Sequence, residues 1–213
     1  MVKYEKENYF ETQFEKKFDG IITDPPYKNF GNKLGGDTMS FEEFMNKAYT
    51  ETVPDAFLIT FCNQKAMIDL INGCGKWNFK TFQIWDKRPT RTWIHWSYPL
   101  RCTEFILYFT KGKFKLSFKN GTVKEAYKRS SFGGVLKDTT KNDRKVSYGM
   151  YEEIVSFRNP RNKKHPTEKP KEFSKMFKHI VGNCNVLDPF CGTGNLLSEF
   201  ENSTGIDMNY DSR

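Results

Sequence analysis

The sequence predicts an α/β protein: a mostly parallel, doubly wound sheet with a basic insertion on its rim. Three observations carry this reading. Short apolar runs alternate with segments of helical period over residues 1–108, the pattern of strands joined by crossover helices. A basic stretch rich in Gly, Ser and Thr, 111–160, breaks that rhythm and reads as an insertion. The alternation then resumes from Lys169 and runs to Asp207.

Taken in order, residues 20–23 form an apolar run stopped by Pro25 and Pro26, hence a short strand. Ser40 is an N-cap for a helix over 41–50, where Phe41, Phe44, Met45 and Ala48 recur at helical spacing. A strand at 56–61 and a helix at 64–71 follow, the helix ending near Gly73 and Gly75. Residues 81–85 and 104–109 are two more strands. Past the insertion, Pro170 suits the first position of a helix whose stripe is Phe173, Met176, Phe177, Ile180 and Val181. A strand at 185–187, a glycine turn at Gly192 and Gly194, a helix over about 195–200 and a last strand ending at Asp207 complete the chain. The expectation is one domain, 1–213, with 111–160 as its variable insertion.

Composition narrows the class. At 213 residues the chain can bury one sizeable core. An aromatic share of 16% argues against disorder. No apolar run approaches a membrane span and no leader is evident, so a cytoplasmic protein without membrane contact is expected. Five cysteines without a C-x-x-C pair, and three dispersed histidines, give no metal site and no disulfide framework. The net charge is +8, but 111–171 alone holds +11 and the remainder −3. A continuous positive stretch suits a polyanion, although a solvated lysine-rich surface has the same composition.

Two motifs carry chemistry. The first is Asp24-Pro25-Pro26-Tyr27. The prolines force the chain out of the sheet and leave Asp24 at the strand's carboxyl end, where open α/β sheets bind ligands. The Asp24 carboxylate and the Pro25 carbonyl make adjacent acceptors and Tyr27 adds a flat ring, a set that fits an amine on a heterocycle. Hydrogen bonds to both N–H groups would favour a pyramidal nitrogen and free its lone pair. A plain strand-ending turn is the simpler alternative for this motif alone.

The second motif is Asp188-Pro189-Phe190-Cys191-Gly192-Thr193-Gly194, with Asp207 closing the following strand. The glycines admit a ligand close to the backbone, and Asp207 can accept from ribose hydroxyls. Leu197 stands where a dinucleotide fingerprint wants glycine. A nucleoside cofactor without phosphates, carrying a cationic sulfonium, suits Asp188 and Asp207 better.

Together the two motifs resemble those of the S-adenosylmethionine-dependent DNA amino-methyltransferases. The segments FQIWDK (82–87) and RCTEFILYFTK (101–111) look like the strands that follow the family's first motif, and HPTEKP (165–170) like its H-P-T-x-K-P segment. The order of catalytic motif, basic region and cofactor motif is similar to the family's β-type arrangement. The resemblance implies a Rossmann-like methyltransferase fold, S-adenosylmethionine as cofactor, double-stranded DNA as partner, a homodimer as one option, and a setting in restriction and modification. It implies that Asp24, Pro25 and Pro26 form the catalytic turn that holds a flipped base, with Tyr27 stacked on it. By the same resemblance Asp188, Phe190, Gly192, Gly194 and Asp207 line the cofactor site, and His165, Thr167 and Lys169 flank it, Thr167 and Lys169 near the methionine carboxylate. With six residues after Asp207, the family's third strand is expected from the N-terminal segment or not at all.

For nucleic acid, Arg88, Arg91 and Arg101 flank an aromatic run, Trp93-Ile94-His95-Trp96-Ser97-Tyr98, that either meets an unpaired strand or fills the sheet's edge. Lys141, Arg144 and Lys145 are candidates for phosphate contact. Asp at the head of the first motif favours adenine N6 as the target. The alternatives are cytosine N4, adenine in RNA, and an inactive DNA-binding module.

Overall fold

The structure, a computed structural model, describes residues 2–26, 40–87, 102–125, 146–160 and 168–208. In chain order the elements are β1 (Val2–Glu5), β2 (Phe18–Thr23), α1 (Phe41–Thr50), β3 (Thr52–Cys62), α2 (Gln64–Asn72), β4 (Asn78–Asp86), β5 (Thr103–Lys111), β6 (Lys119–Glu125), β7 (Val146–Met150), β8 (Ile154–Val155), α3 (Glu172–Val181), β9 (Val186–Asp188), a 3-10 turn (Asn195–Leu197) and β10 (Ser203–Ile206). Eight strands make one sheet in the order β1-β10-β9-β2-β3-β5-β4-β8. Seven run in one direction; β5 alone is antiparallel to its neighbours β3 and β4. The sheet is therefore mostly parallel, as the alternation of strand and helix predicts. The N-terminal segment supplies the edge strand: β1 lies parallel to β10, with Tyr4 opposite Gly205.

Both faces are covered, so the central strands read as unbroken apolar runs whose alternate residues serve different cores. On one face Ile21, Leu58, Leu107 and Leu187 pack with Phe41, Phe44, Met45 and Ala48 of α1 and Ala66 and Leu70 of α2. On the other, Ile22, Phe57, Ile59, Phe61, Ile106, Tyr108 and Val186 pack with Phe173, Met176, Phe177 and Ile180 of α3. Ser40 caps α1 by accepting from the Glu43 amide, and Asn63 caps α2 by accepting from Ala66. Gly20 has a packing reason: a Cβ there would run into the Phe57 ring on the neighbouring strand.

Two local expectations need correction, and a third stretch carries more regular structure than its pattern shows. The helix over about 195–200 is only a 3-10 turn. Asn195, Leu196, Leu197 and Phe200 are all buried, and the Glu199 amide donates to Ser174 Oγ at 2.9 Å instead of to a carbonyl one turn back, so no helix propagates. Pro170 is not the first helical residue. Helix α3 starts at Glu172 behind an N-cap at Lys171, and the Pro170 carbonyl accepts from the Phe173 amide in a preceding turn. Finally, the 111–160 stretch carries regular structure despite its weak periodicity. Strands β6 and β7 pair antiparallel, β8 joins the main sheet beside β4, and Phe114, Leu116 and Phe118 pack onto the α3 core.

Candidate active site

The sheet's connectivity sets the site's place. From β2 the chain moves through α1 to β3 on one side, whereas from β9 it turns back to β10 on the other. The winding reverses between β9 and β2, and the crevice outside the carboxyl ends of strands at such a point is where open α/β sheets take ligands. Strands β2 and β9 are adjacent and in register, Gly20 opposite Val186 and Ile21 opposite Leu187. Asp24, which follows β2, and Asp188, which ends β9, therefore meet at one mouth. Asp207 reaches the same rim from the end of β10.

Asp188 is buried, and its Oδ1 accepts from the Phe190 amide at 3.1 Å. Its Oδ2 is buried without a hydrogen-bond partner among the described residues. Burial pushes its carboxyl up to about 7, and the Asp24 and Asp207 carboxylates add to the rise. The Thr23 hydroxyl and the Phe190 amide work against it; the hydroxyl lies close without making a hydrogen bond.

The glycine loop after β9 is tied down at both ends. Asp207 Oδ2 accepts from the Gly192 amide at 2.9 Å, and the Cys191 amide donates to the Ile206 carbonyl at 2.8 Å. Gly192 (φ +49°) and Gly194 (φ +75°) both sit in the left-handed region, where a side chain is strained. They differ in surroundings. Among the described residues nothing lies within 4 Å of a Cβ built on Gly192, while a Cβ on Gly194 would collide with the Tyr4 ring. Phe190 is half-buried in an aromatic wall, its ring centroid 5.9 Å from that of Tyr9 and 5.9 Å from that of Phe44.

On the other side of Asp24 stands a charge network. Lys169 Nζ pairs with Asp24 Oδ2 and lies 3.2 Å from Glu104 Oε2. Glu104 Oε1 accepts from Lys87 Nζ at 2.8 Å. The Lys169 ammonium sits 5.0 Å from the Phe61 ring centroid and 5.8 Å from that of Trp85, over surfaces that favour a cation. Burial would lower the Lys169 pKa, but the Asp24 and Glu104 carboxylates outweigh it and hold the ammonium protonated. Burial would likewise raise Glu104, and the Lys169 and Lys87 ammoniums hold its carboxyl below the ordinary value. Asn195 anchors the backbone here: its Nδ2 donates to Glu168 Oε1 and to the Lys169 carbonyl, each at 2.8 Å.

Of the residues singled out from sequence, Asp24, Pro25, Pro26, Lys169, Asp188, Phe190, Gly192, Gly194 and Asp207 are described, and they gather at this crevice. Tyr27, His165, Thr167, Arg88, Arg91, Arg101, Lys141, Arg144 and Lys145 lie outside the described residues. Sequence reasoning missed Glu104, Lys87 and Asn195. Glu104 was hidden by direction: on a parallel strand it would sit at the far end of the sheet, and only the reversal of β5 brings it to the crevice. A signal existed, since 88–101 carries Pro89 and Pro99 and no helical apolar stripe, which suits a hairpin connection better than a crossover.

A sheet wound in both directions, with three strand-end carboxylates and a glycine loop at its switch point, is the kind of crevice that takes a nucleoside-type ligand. A family model described as DNA methylase, covering N6 and N4 amino-methyltransferases, matches residues 18–209. The chain belongs to this family, whose cofactor is S-adenosylmethionine. No curated protein matches the chain. Among solved structures, the crystal structure of the M1.HpyAVI–SAM complex is 22% identical at a TM-score of 0.69, covering 99% of this chain and 95% of that one. A second structure of M1.HpyAVI is 20% identical at 0.68, over 99% and 93% of the two chains. The protein TTHA0409 from Thermus thermophilus is 15% identical at 0.59, over 97% and 88%. At these identities the likeness is one of fold.

Proposed function

We propose that the chain transfers a methyl group from S-adenosylmethionine to N6 of adenine in double-stranded DNA, the base being turned out of the duplex. The observation that carries this is Asp24, an aspartate heading the Asp-Pro-Pro-Tyr motif and anchored at the switch-point crevice by Lys169. Asp24 and the Pro25 carbonyl accept the two N–H groups of the amine, Pro26 stiffens the turn, and Tyr27 stacks on the ring. When bound, S-adenosylmethionine supplies an electrophilic methyl on a cationic sulfur, which the nitrogen takes with its lone pair while the C–S pair stays on sulfur. The nitrogen then loses one proton, which passes to solvent. Holding the amine and polarising it are the chain's contribution.

The crevice suits that cofactor. Among the described residues Asp188 Oδ2 is a buried acceptor with no hydrogen-bond partner and Gly192 has no neighbour at its Cβ position, and a cluster of carboxylates favours a cationic nucleoside. In this reading Asp207 holds the ribose, Phe190 packs beside the adenine, and His165 and Thr167 flank the methionine end. Arg88, Arg91, Arg101, Lys141, Arg144 and Lys145 face DNA.

Transfer of tritiated methyl to duplex DNA, single-stranded DNA and RNA, followed by nucleoside analysis, tests the proposal. N6-methyladenine from duplex DNA is expected, and Asp24→Ala abolishes it while leaving cofactor affinity within about threefold. Label in N4-methylcytosine or in RNA overturns the substrate assignment, and wild-type turnover by Asp24→Ala overturns the site.

A further inference from the structure

The family resemblance places Lys169 near the methionine carboxylate, but the structure gives its ammonium to two protein carboxylates. We infer that Lys169 is a positioning residue for Asp24, locking its carboxylate in place as an anion, and that Glu104 is the half-buried counter-charge that holds Lys169 there. The inference rests on the reading that Asp24 accepts the target amine.

The geometry is specific. The Lys169 side chain is 7% exposed, the Asp24 and Glu104 side chains 14% and 17%. The ammonium is bracketed by Asp24 Oδ2 on one side and by Glu104 Oε2, 3.2 Å away, on the other. The Phe61 and Trp85 rings form its floor. Asn195 holds the Lys169 carbonyl, so the side chain projects from a fixed point. Lys87, across the β4–β5 pairing, completes a set of two carboxylates and two ammoniums with no net charge. A half-buried set of this kind built round a buried ammonium is sensitive to balance, because removing one partner leaves a charge poorly compensated.

The chemistry needs this balance. An amine donates most strongly to an ionised carboxylate, yet other acids stand close to Asp24. Asp188 lies close enough for the two carboxylates to repel, Glu104 adds a third acid, and the Cys62 thiol beneath is itself pushed up by burial and by the Asp24 and Glu104 charges. Lys169 is the cation that answers them. Without it the Asp24 and Glu104 carboxylates lose the ammonium that stands between them, and since Glu104 keeps Lys87, the change favours a proton on Asp24.

The test is the single-turnover methyl-transfer rate from about pH 5 to about pH 9, read beside calorimetric S-adenosylmethionine affinity. Lys169→Met is expected to move the acid limb up by about one pH unit or more, cutting the rate about tenfold at pH values on that limb while cofactor affinity stays within about threefold. Adding Glu104→Gln removes the opposing acid and brings the limb back down. Should Lys169→Met fail to fold, recovery of a cooperative melt in the double variant carries the same result, and no recovery counts against the pair. A tenfold loss of cofactor affinity with an unmoved limb overturns the inference and returns Lys169 to the cofactor. Asp24→Asn separates the two levels: full turnover in that variant defeats the reading of Asp24 itself, whereas an inactive Asp24→Asn beside an unmoved Lys169→Met limb defeats only the role of Lys169 and Glu104.

Discussion

Replacing Gly194 by alanine tests how the glycine loop is built, because two separate penalties fall on one methyl group. The first is conformational: at φ +75° an L-residue pays about 1–2 kcal/mol. The second is steric. The new Cβ would enter the ring of Tyr4 on β1, and relieving it requires the edge strand or the loop to shift, which costs about 1–3 kcal/mol in packed surroundings. The sum is about 2–5 kcal/mol, or a fall in Tm of about 4–20 °C for a chain of this size. Gly192→Ala is the internal control, since its φ of +49° carries the first penalty and no described residue near its Cβ position brings the second. Thermal melts of both variants, and of Gly194→Ala in a Tyr4→Ala background, separate the contributions. With the ring removed, the Gly194 substitution should cost only the conformational part. Equal losses in the two backgrounds, or a Gly194→Ala protein as stable as Gly192→Ala, would refute the assignment of the Tyr4 contact as the reason for glycine.

The buried Asp188 carboxyl, raised from 3.8 to about 7, makes the unliganded protein less stable as pH rises. Its protonated form is favoured in the folded state, so the contribution is whole below about pH 4 and is lost by about pH 7, on the order of 4 kcal/mol as an upper bound. The stability difference between Asp188→Asn and wild type should widen over that interval in melts taken at several pH values, and a flat difference would contradict it. For DNA, replacing Lys141, Arg144 and Lys145 together should flatten the log–log salt dependence of affinity by about 0.9 for each phosphate no longer neutralised, alike on cognate and unrelated duplexes. An unchanged slope in binding titrations would take these three off the DNA path.

Much of this fold can be read from local pattern, and the reasons are visible in particular residues. Helix α1 is legible because Ser40 caps it and Phe41, Phe44, Met45 and Ala48 form the stripe that the sheet buries. Strands β2, β3 and β9 are legible because their central residues are buried on both faces, leaving mostly apolar runs. The catalytic turn is legible because two prolines cannot remain in a sheet. The failures also have local causes. Residues 195–200 have helical spacing of apolar groups, but the demand that four of them be buried, with the Glu199 amide captured by Ser174, overrides the helix. Strands β6 and β7 escape detection because they make a two-stranded ribbon outside the main core, where period-2 patterning is not enforced by burial.

The charge network was illegible for a deeper reason, which concerns strand direction. Parallel strands that end at a switch point deliver their terminal residues to one rim, so Asp24, Asp188 and Asp207 converge through topology alone. Three acids converging in a partly desolvated crevice repel one another, and the parallel strands that bring them offer no cation in return. Counter-charge must come from other segments that reach the same rim. Lys169 comes from the turn before α3, and Lys87 from just past the end of β4. Glu104 arrives because β5 runs backward and so starts where its neighbours finish, pairing with Trp85 of β4 while Phe105 pairs with Cys62 of β3. A single reversed strand thus does two things at once. It continues the sheet beyond β3, and it sets an acidic residue within reach of Lys169, steadying the cation that faces Asp24. Sequence spacing places each of these residues on an element, but only the direction of β5 makes them neighbours.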